Sequence, residues 1–347
     1  MIAAVYYGPN DLRVEQVPVP EIADDEVLVK MKAASICGTD LRILHGDHRK
    51  YPLGTVRIPG HEIVGTIAKM GNKVRGIKED QLYFIAPNIG CGHCRQCVSG
   101  NNNLCSNFEA LGITLDGGFA EYVRVPSAAI LQGNLIPVST NVNAASAALI
   151  EPFACVLRSH DLLNVHPGDT VLVMGAGPIG ILHIKLAKLS GASCVIVSEL
   201  NEGRLEQALQ MGADFGVNPL NEDLASVVDE KTGMNGADVV IVAAPAHIAQ
   251  ESALQLAAVR GRVCYFGGLP KEKPTIGFNS NLLHYKELQI YGTTGSSTEN
   301  CWRAAQIINS GRMEISSLVS LHFPLAHAVK AFQKAEDRDA LKVVLEP

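Results

Sequence analysis

Four cysteines stand close together, Cys91, Cys94, Cys97 and Cys105, separated by gaps of two, two and seven residues. The gaps hold Gly92, Gly100 and the asparagines 101–103, so the chain there can wrap around a small ion. Four thiolates from one short loop make a closed, tetrahedral zinc site of the structural kind. Two disulfides or an iron–sulfur cluster would use the same residues. The total of nine cysteines is odd, and four of them cluster, which suits a reducing cytoplasm and metal-bound thiolates better than a disulfide scaffold. His93 lies inside the cluster, where four sulfurs already fill the coordination. A second, dispersed set is Cys37, His61-Glu62 and Glu151. Each member alone has a plain reading: a small buried hydrophobe, a satisfied core histidine, and a carboxylate at the start of a helix near Phe153.

A third pattern could hold a dinucleotide. Residues 170–174 read as a short buried strand, followed by Gly175-Ala176-Gly177-Pro178-Ile179-Gly180 and a long apolar segment. Gly175 permits a tight turn, Gly177 lets the backbone approach a pyrophosphate, and Gly180 lets a helix pack on the strand. Pro178 falls near the first helical position, where its missing N–H costs little. The helix N-terminus then points free N–H groups at phosphate. Glu199 closes the next strand about 20 residues on, where a carboxylate can hold the ribose hydroxyls. Arg204 follows, a cation that could instead accept a 2′-phosphate.

These residues need elements to carry them, and the chain of 347 residues is long enough for two domains with sizeable cores. With 47% hydrophobic and 18% charged residues it is globular, and its net charge of -6 argues against nucleic-acid or anionic-membrane partners. The N-terminal stretch reaches Gly8-Pro9 too early for a signal peptide, and no apolar run approaches membrane-spanning length. Strands are expected over 12–17, 27–33, 63–68, 81–85 and 119–125, with Gly, Asn, Pro and acidic turns between them, as in a compact β-barrel. After Glu151-Pro152 a helix over 153–163 is followed by strands at 170–174, 195–198, 214–217, 238–243, 262–266 and 288–291, separated by helical segments. That alternation predicts a doubly wound parallel sheet. The tail offers helices near 302–308 and 325–334 and a final strand at 342–345. His183, Cys194 and Cys264 read as packing residues, and His45, His48, Arg49 and Lys50 as a solvated basic loop.

The stretches Cys37-Gly38-Thr39-Asp40, Gly60-His61-Glu62, the four-cysteine loop, Asp116-Gly117-Gly118-Phe119-Ala120-Glu121-Tyr122, Glu151-Pro152 and the glycine turn occur in one order along the chain. On these the chain resembles the zinc-dependent medium-chain dehydrogenases over essentially its whole length. The resemblance implies an α/β protein with three parts. These are a GroES-like catalytic domain over 1–152 with its structural zinc loop at 91–105, a Rossmann NAD-binding domain over 153–290, and a segment over 291–347 returning to the first domain. It implies two zinc ions per chain, the catalytic one held by Cys37, His61 and Glu62 or Glu151. Glu151, where ethanol-type enzymes carry cysteine, resembles the sorbitol and polyol branch. A hydroxyl bound to zinc can lose up to roughly nine pKa units, about 12 kcal/mol at most, which no lone general base supplies.

Thr39 resembles the relay hydroxyl of the family, and a second reading makes it the N-cap of a helix over 40–44. The relay histidine three residues on is here Arg42, which cannot accept a proton, and His45 is the substitute at hand. The expected reaction is oxidation by NAD of a secondary alcohol of a polyol or sugar derivative, the donor-rich segment 292–300 facing the substrate. L-threonine-type or sugar-phosphate oxidation is the alternative. Related enzymes are dimers or tetramers, so a homo-oligomer, a tetramer first, is expected.

Overall fold

The strand Val27–Ser35 has neighbours on both edges, and only Lys30 and Lys32 in it are exposed. On one side it pairs antiparallel with Glu62–Met70, with Ser35 opposite Glu62 and Met31 opposite Gly65. On the other it pairs with Tyr122–Val125 at its first half and with Lys342–Glu346 at its last, Val344 opposite Ser35. The chain's end is therefore one ladder step from the strand that begins at Glu62. The sheet continues from Lys342–Glu346 to Val319–Pro324, and from Glu62–Met70 through Leu82–Ile85 to Leu135–Pro137, seven strands in all. Valines and isoleucines cover one side of it, among them Val27, Val29, Ile63, Ile85 and Val123. Ala34, Phe119, Phe332 and Leu345 cover another, with Phe119 and Phe332 edge to face at 5.5 Å. Full burial of each such side chain contributes about 1.5–3 kcal/mol.

The computed structural model describes residues 1–337 and 340–347. The chain divides into two compact units, Met1–Ala154 with Gly295–Pro347, and Cys155–Thr294. The second holds a six-stranded sheet in the order Phe215–Val217, Cys194–Ser198, Thr170–Met174, Ala237–Val242, Ala257–Tyr265, Gln289–Gly292, every neighbouring pair parallel. This is the doubly wound sheet that the alternation predicts. Its order reverses between Thr170–Met174 and Ala237–Val242, the place where such sheets open a crevice at the carboxyl ends of their strands.

Several boundaries differ from expectation for physical reasons. The strand expected from Phe119 begins only at Tyr122, because Phe119 and Ala120 lie along the first strand, Ile2–Gly8, through single bridges. Ile2–Gly8 itself, paired with Asp11–Gln16, was hidden among residues read only as a non-signal N-terminus. The helix expected from Phe153 starts at Ile150, which puts Glu151 in its first turn. Pro152 is harmless there, since the first-turn N–H groups have no partner within the helix. The helix expected at 302–308 runs Thr298–Asn309, because Ser297 and Asn300 form a capping box four residues earlier.

Candidate functional site

The loop before Cys91 is shaped by close packing. A side chain on Gly90 would bring its Cβ to 2.5 Å from the Cys97 sulfur. The four sulfurs of Cys91, Cys94, Cys97 and Cys105 gather in one group, at 3.5 Å for Cys94–Cys97, 3.8 Å for Cys94–Cys105 and 4.0 Å for Cys91–Cys97. Zinc–sulfur bonds of about 2.3 Å in a tetrahedron place sulfurs about 3.8 Å apart, so the cage fits the ion. All nine cysteines are free thiols, which removes the disulfide reading. Backbone N–H groups of His93 and Cys94 push the Cys91 thiol down to about 6, whereas burial pushes Cys97 up to about 12. Four thiols cannot all ionise side by side without a cation among them. His93 turns its ring to the Cys91 carbonyl and stays exposed.

Cys37 lies two residues past the strand Val27–Ser35 and caps the helix Gly38–Leu44, its backbone N–H donating to the Asp40 carboxylate at 2.9 Å. The N-cap is thus Cys37; Thr39 lies one residue inside the helix, so its capping reading is wrong. His61 follows Gly60, whose φ of +95° favours glycine. A Cβ on Gly60 would meet the Phe119 ring at 2.7 Å, and one on Gly117 would lie 2.1 Å from the Gly60 oxygen. The Gly60-His61-Glu62 and Asp116–Tyr122 stretches are therefore two halves of one turn. Ligand atoms of Cys37, His61 and Glu62 lie within 4.8 Å of one another.

The surroundings of these groups are charged and dry. His61 is buried, with Nδ1 3.4 Å from an Asp40 oxygen that has no other partner among the described residues. Burial works against charge on His61, but Asp40 and Cys37 outweigh it and hold its pKa well above the ordinary value. Both oxygens of the fully buried Glu62 accept from Lys342, at 2.6 and 2.7 Å, and Lys342 also donates to the Ile36 carbonyl. Burial works against charge on Lys342, but Glu62, Cys37 and Glu151 outweigh it and raise its pKa, so the ammonium persists. Glu151 is 7% exposed and its charge acts on Lys342 and Cys301, but the group of ligand atoms within 4.8 Å of one another is Cys37, His61 and Glu62, without Glu151. Asp40 and Lys342 escaped the sequence reading. Asp40 sat in a quoted motif without a role, and a lysine opening the apolar run Val343-Val344-Leu345 was the one signal for Lys342.

The outer groups look different from their expected roles. The Thr39 hydroxyl oxygen accepts from the Arg42 guanidinium at 3.1 Å. His45 bonds Asn10 at 3.0 Å and Glu336 at 2.6 Å, so both its nitrogens are committed and it is a poor relay. His48 is half-buried; burial first, then Arg42 and His61, push its pKa down to about 4. It is therefore more than solvated surface. In the segment read as hydroxyl-binding, residues 296–298 and 300 spend polar groups inward, whereas the buried Thr293 hydroxyl has no hydrogen-bond partner among the described residues. Ser297 caps Asn300, Thr298 bonds Asn102 and Asn134, and the Ser296 carbonyl accepts from Asn88.

In the second unit Gly175 has φ +107°, and its N–H donates to the Ser198 carbonyl at 2.7 Å. Gly177 caps the helix Pro178–Leu189, with Pro178 and Ile179 opening it. A Cβ on Gly180 would lie 1.9 Å from the Gly175 oxygen, so the helix can reach its strand only without one. The Glu199 carboxylate is fixed by backbone N–H groups of Ala176, Leu200 and Asn201 at 2.7 to 3.0 Å. The Arg204 guanidinium comes within 3.8 Å of where a Gly177 Cβ would stand. A turn, a bare helix N-terminus, a fixed carboxylate and a cation together fit a pyridine dinucleotide.

A dinucleotide crevice and a Cys–His–Glu metal group in one chain define a zinc- and NAD(P)-dependent oxidoreductase. The model of the alcohol dehydrogenase GroES-like domain matches residues 23–137, and that of the zinc-binding dehydrogenases residues 178–310. The L-threonine 3-dehydrogenase of Bacillus subtilis is 35% identical over 96% of this chain and 94% of its own, and that of Pyrococcus furiosus 36% over 93% and 89%. A zinc-binding dehydrogenase of Sinorhizobium meliloti, solved with NADP bound, superposes with a TM-score of 0.92 at 32% identity, covering 100% of this chain and 99% of that one. The alcohol dehydrogenase TADH of Thermus sp. ATN1 gives 0.90 at 27%, with the same coverage. The chain belongs to the zinc-dependent medium-chain dehydrogenase family and is an NAD(P)-dependent alcohol dehydrogenase. These relatives do not single out the polyol branch; the L-threonine enzymes match nearly end to end. Among the described residues no helix is long and apolar enough to cross a membrane.

Proposed function

We propose that the chain oxidises the secondary hydroxyl of a β-hydroxy amino acid of the L-threonine type, passing hydride to NAD in preference to NADP. The observation that carries this is the similarity, at 35 and 36% identity over 96 and 93% of the chain, to L-threonine 3-dehydrogenases. The pairing of Ser297, Thr298 and Asn300 within the protein takes away one reason for the polyol reading. A site built to bind substrate hydroxyls would keep such groups free.

Cys37, His61 and Glu151 would hold the catalytic zinc, and Cys91, Cys94, Cys97 and Cys105 a second, structural one. Zinc held by these groups supplies a Lewis acid that makes a substrate hydroxyl acidic. Asp40 keeps the proton of His61 on Nδ1, leaving Nε2 as the donor nitrogen. Lys342 holds Glu62 as a buried carboxylate and keeps it in reserve as a ligand. The Thr39 hydroxyl, its oxygen already accepting from Arg42, has a hydrogen to give and one lone pair to take a proton. A guanidinium has no acceptor atom, so a relay through Thr39 would need a route other than Arg42. Gly175, Gly177 and Gly180 admit the pyrophosphate, and Glu199 takes the ribose hydroxyls. The working molecule would be a homotetramer.

The test is NAD reduction across L-threonine, sorbitol, xylitol, galactitol, their phosphates, inositol, ethanol and butanol. L-threonine should give the highest kcat/KM. A polyol or sugar phosphate that beats it replaces the amino-acid reading with the polyhydroxylated one.

A further inference from the structure

The loop between the helix Gly38–Leu44 and Gly60 turns one aromatic residue inward. Tyr51 is 3% exposed, although it directly follows the basic stretch His48, Arg49 and Lys50. Its hydroxyl donates to the Gly112 carbonyl at 2.8 Å, across 61 positions of sequence. Burial raises its pKa above the usual 10, so the hydroxyl keeps its hydrogen and stays a donor. The ring meets Tyr6 edge to face at 5.2 Å and His48 at 5.9 Å. The Arg57 guanidinium lies over it at 5.0 Å and donates to the Ile113 and Lys50 carbonyls, at 2.7 and 3.3 Å.

Two sets of contacts lead from Tyr51 to the metal group. Gly112, with φ +74°, packs on the Gly60 backbone so closely that a Cβ on it would stand 2.2 Å from the Gly60 oxygen. That oxygen accepts from the Gly118 N–H at 2.8 Å, and His61 is the next residue in the chain. On the apolar side, Tyr51 shares one buried cluster with Tyr6, Ile43, Ala110 and Ile113. Ile43 belongs to the helix that Cys37 caps. Tyr51 thus links the helix of Cys37 to the turn of His61, by apolar packing on one side and a hydrogen bond on the other.

We propose that Tyr51 is a positioning residue: its ring and hydroxyl together fix the spacing between Cys37 and His61, and so the hold of these two on the catalytic metal. This rests on the reading of both as zinc ligands. Loss of the hydroxyl alone frees Gly112, and with it the Gly60–His61 turn, while the ring keeps its place beside the helix of Cys37.

The experiment compares Tyr51→Phe, Tyr51→Leu, Ile136→Val and His61→Ala as zinc-loaded full chain. Release of each zinc equivalent to a chelator, kcat, KM for NAD, thermal melts and hydrogen exchange at the Gly118 amide are measured. The Gly118 amide reports on the turn without reference to the metal. In Tyr51→Phe one zinc equivalent should leave faster, Gly118 should exchange faster and kcat should fall, each by about tenfold, equivalent to about 1.4 kcal/mol. The second zinc equivalent and KM for NAD should stay native, a split that general loosening would not give. Tyr51→Leu, which removes the ring as well, should do at least as much. Ile136 is a fully buried residue of the strand Leu135–Pro137, and Ile136→Val should lower the melt yet keep native zinc release and Gly118 exchange. Native zinc release or native Gly118 exchange in Tyr51→Phe, or the same acceleration in Ile136→Val, overturns the positioning role. A His61→Ala chain that keeps both zinc equivalents overturns instead the ligand reading beneath it.

Discussion

Lys342 and Glu62 show how much rests on single buried groups. Each is at most 4% exposed, and their ion pair is complete on both carboxylate oxygens. Removing one partner leaves a charge buried without its counter-charge, which costs about 3–5 kcal/mol. Lys342→Met should lower the zinc-free protein's stability to urea by that order, and Glu62→Gln/Lys342→Met together should recover most of it. A single variant as stable as the native chain contradicts the pairing. The two metal groups should separate equally cleanly. Cys37→Ser is expected to stay folded but to lose one of two zinc equivalents and nearly all activity. Cys97→Ser is expected to lose the other equivalent and to melt lower. Elemental analysis and thermal melts decide, and a Cys37→Ser enzyme with native rate removes the catalytic assignment.

Two helices of the nucleotide unit meet through histidines. His160, on Ile150–Leu163, and His183, on Pro178–Leu189, stack at 5.3 Å with a nitrogen–nitrogen separation of 3.2 Å, and Phe266 meets His183 edge-on. Burial holds the His160 pKa down at about 3 and that of His183 well below the ordinary 6.5, with His160 adding to the latter. Both are therefore neutral in the folded chain while the unfolded chain takes up protons below about pH 6.5. Stability should be full above that pH and decline steadily as pH falls toward 3. The urea midpoint between pH 7.5 and 5 measures it, and His160→Leu should flatten the slope; an unchanged slope sinks the account. At the neighbouring turn, Glu199 held by three N–H groups should favour NAD, because a 2′-phosphate would meet a fixed negative charge. Glu199→Ala should narrow the NAD:NADP ratio of kcat/KM at least tenfold, worth about 1.4 kcal/mol. A native enzyme that prefers NADP, with Arg204 binding the phosphate, reverses the role of Glu199.

For the whole molecule, the strand Gln289–Gly292 ends the parallel sheet with one edge unpaired among the described residues. Sheet edges of this kind are commonly covered in symmetric assemblies. Light scattering at micromolar concentration should give about four times the 37.0 kDa chain mass. A monomer contradicts the expected tetramer.

What the sequence determined by itself was local. The four cysteines lie within one loop, so their spacing offered a metal cage without any knowledge of the fold, and Gly175 and Gly180 are tied to a turn that a side chain would break. The alternation of strands and helices after Glu151 dictated the parallel sheet, because buried strands and crossover helices leave their own periodicity. What the tertiary structure decided was every relation across long stretches of chain. Lys342 reaches Glu62 over 280 positions only because Val344 and Glu62 both pair with Ser35 from opposite edges of one strand. Thr298 reaches Asn102 over 196, a grip that spacing along the chain gave no sign of. Residue type advertises a capacity to bond. Which partner satisfies it is set by sheet register and packing, and these exist only once the chain has folded.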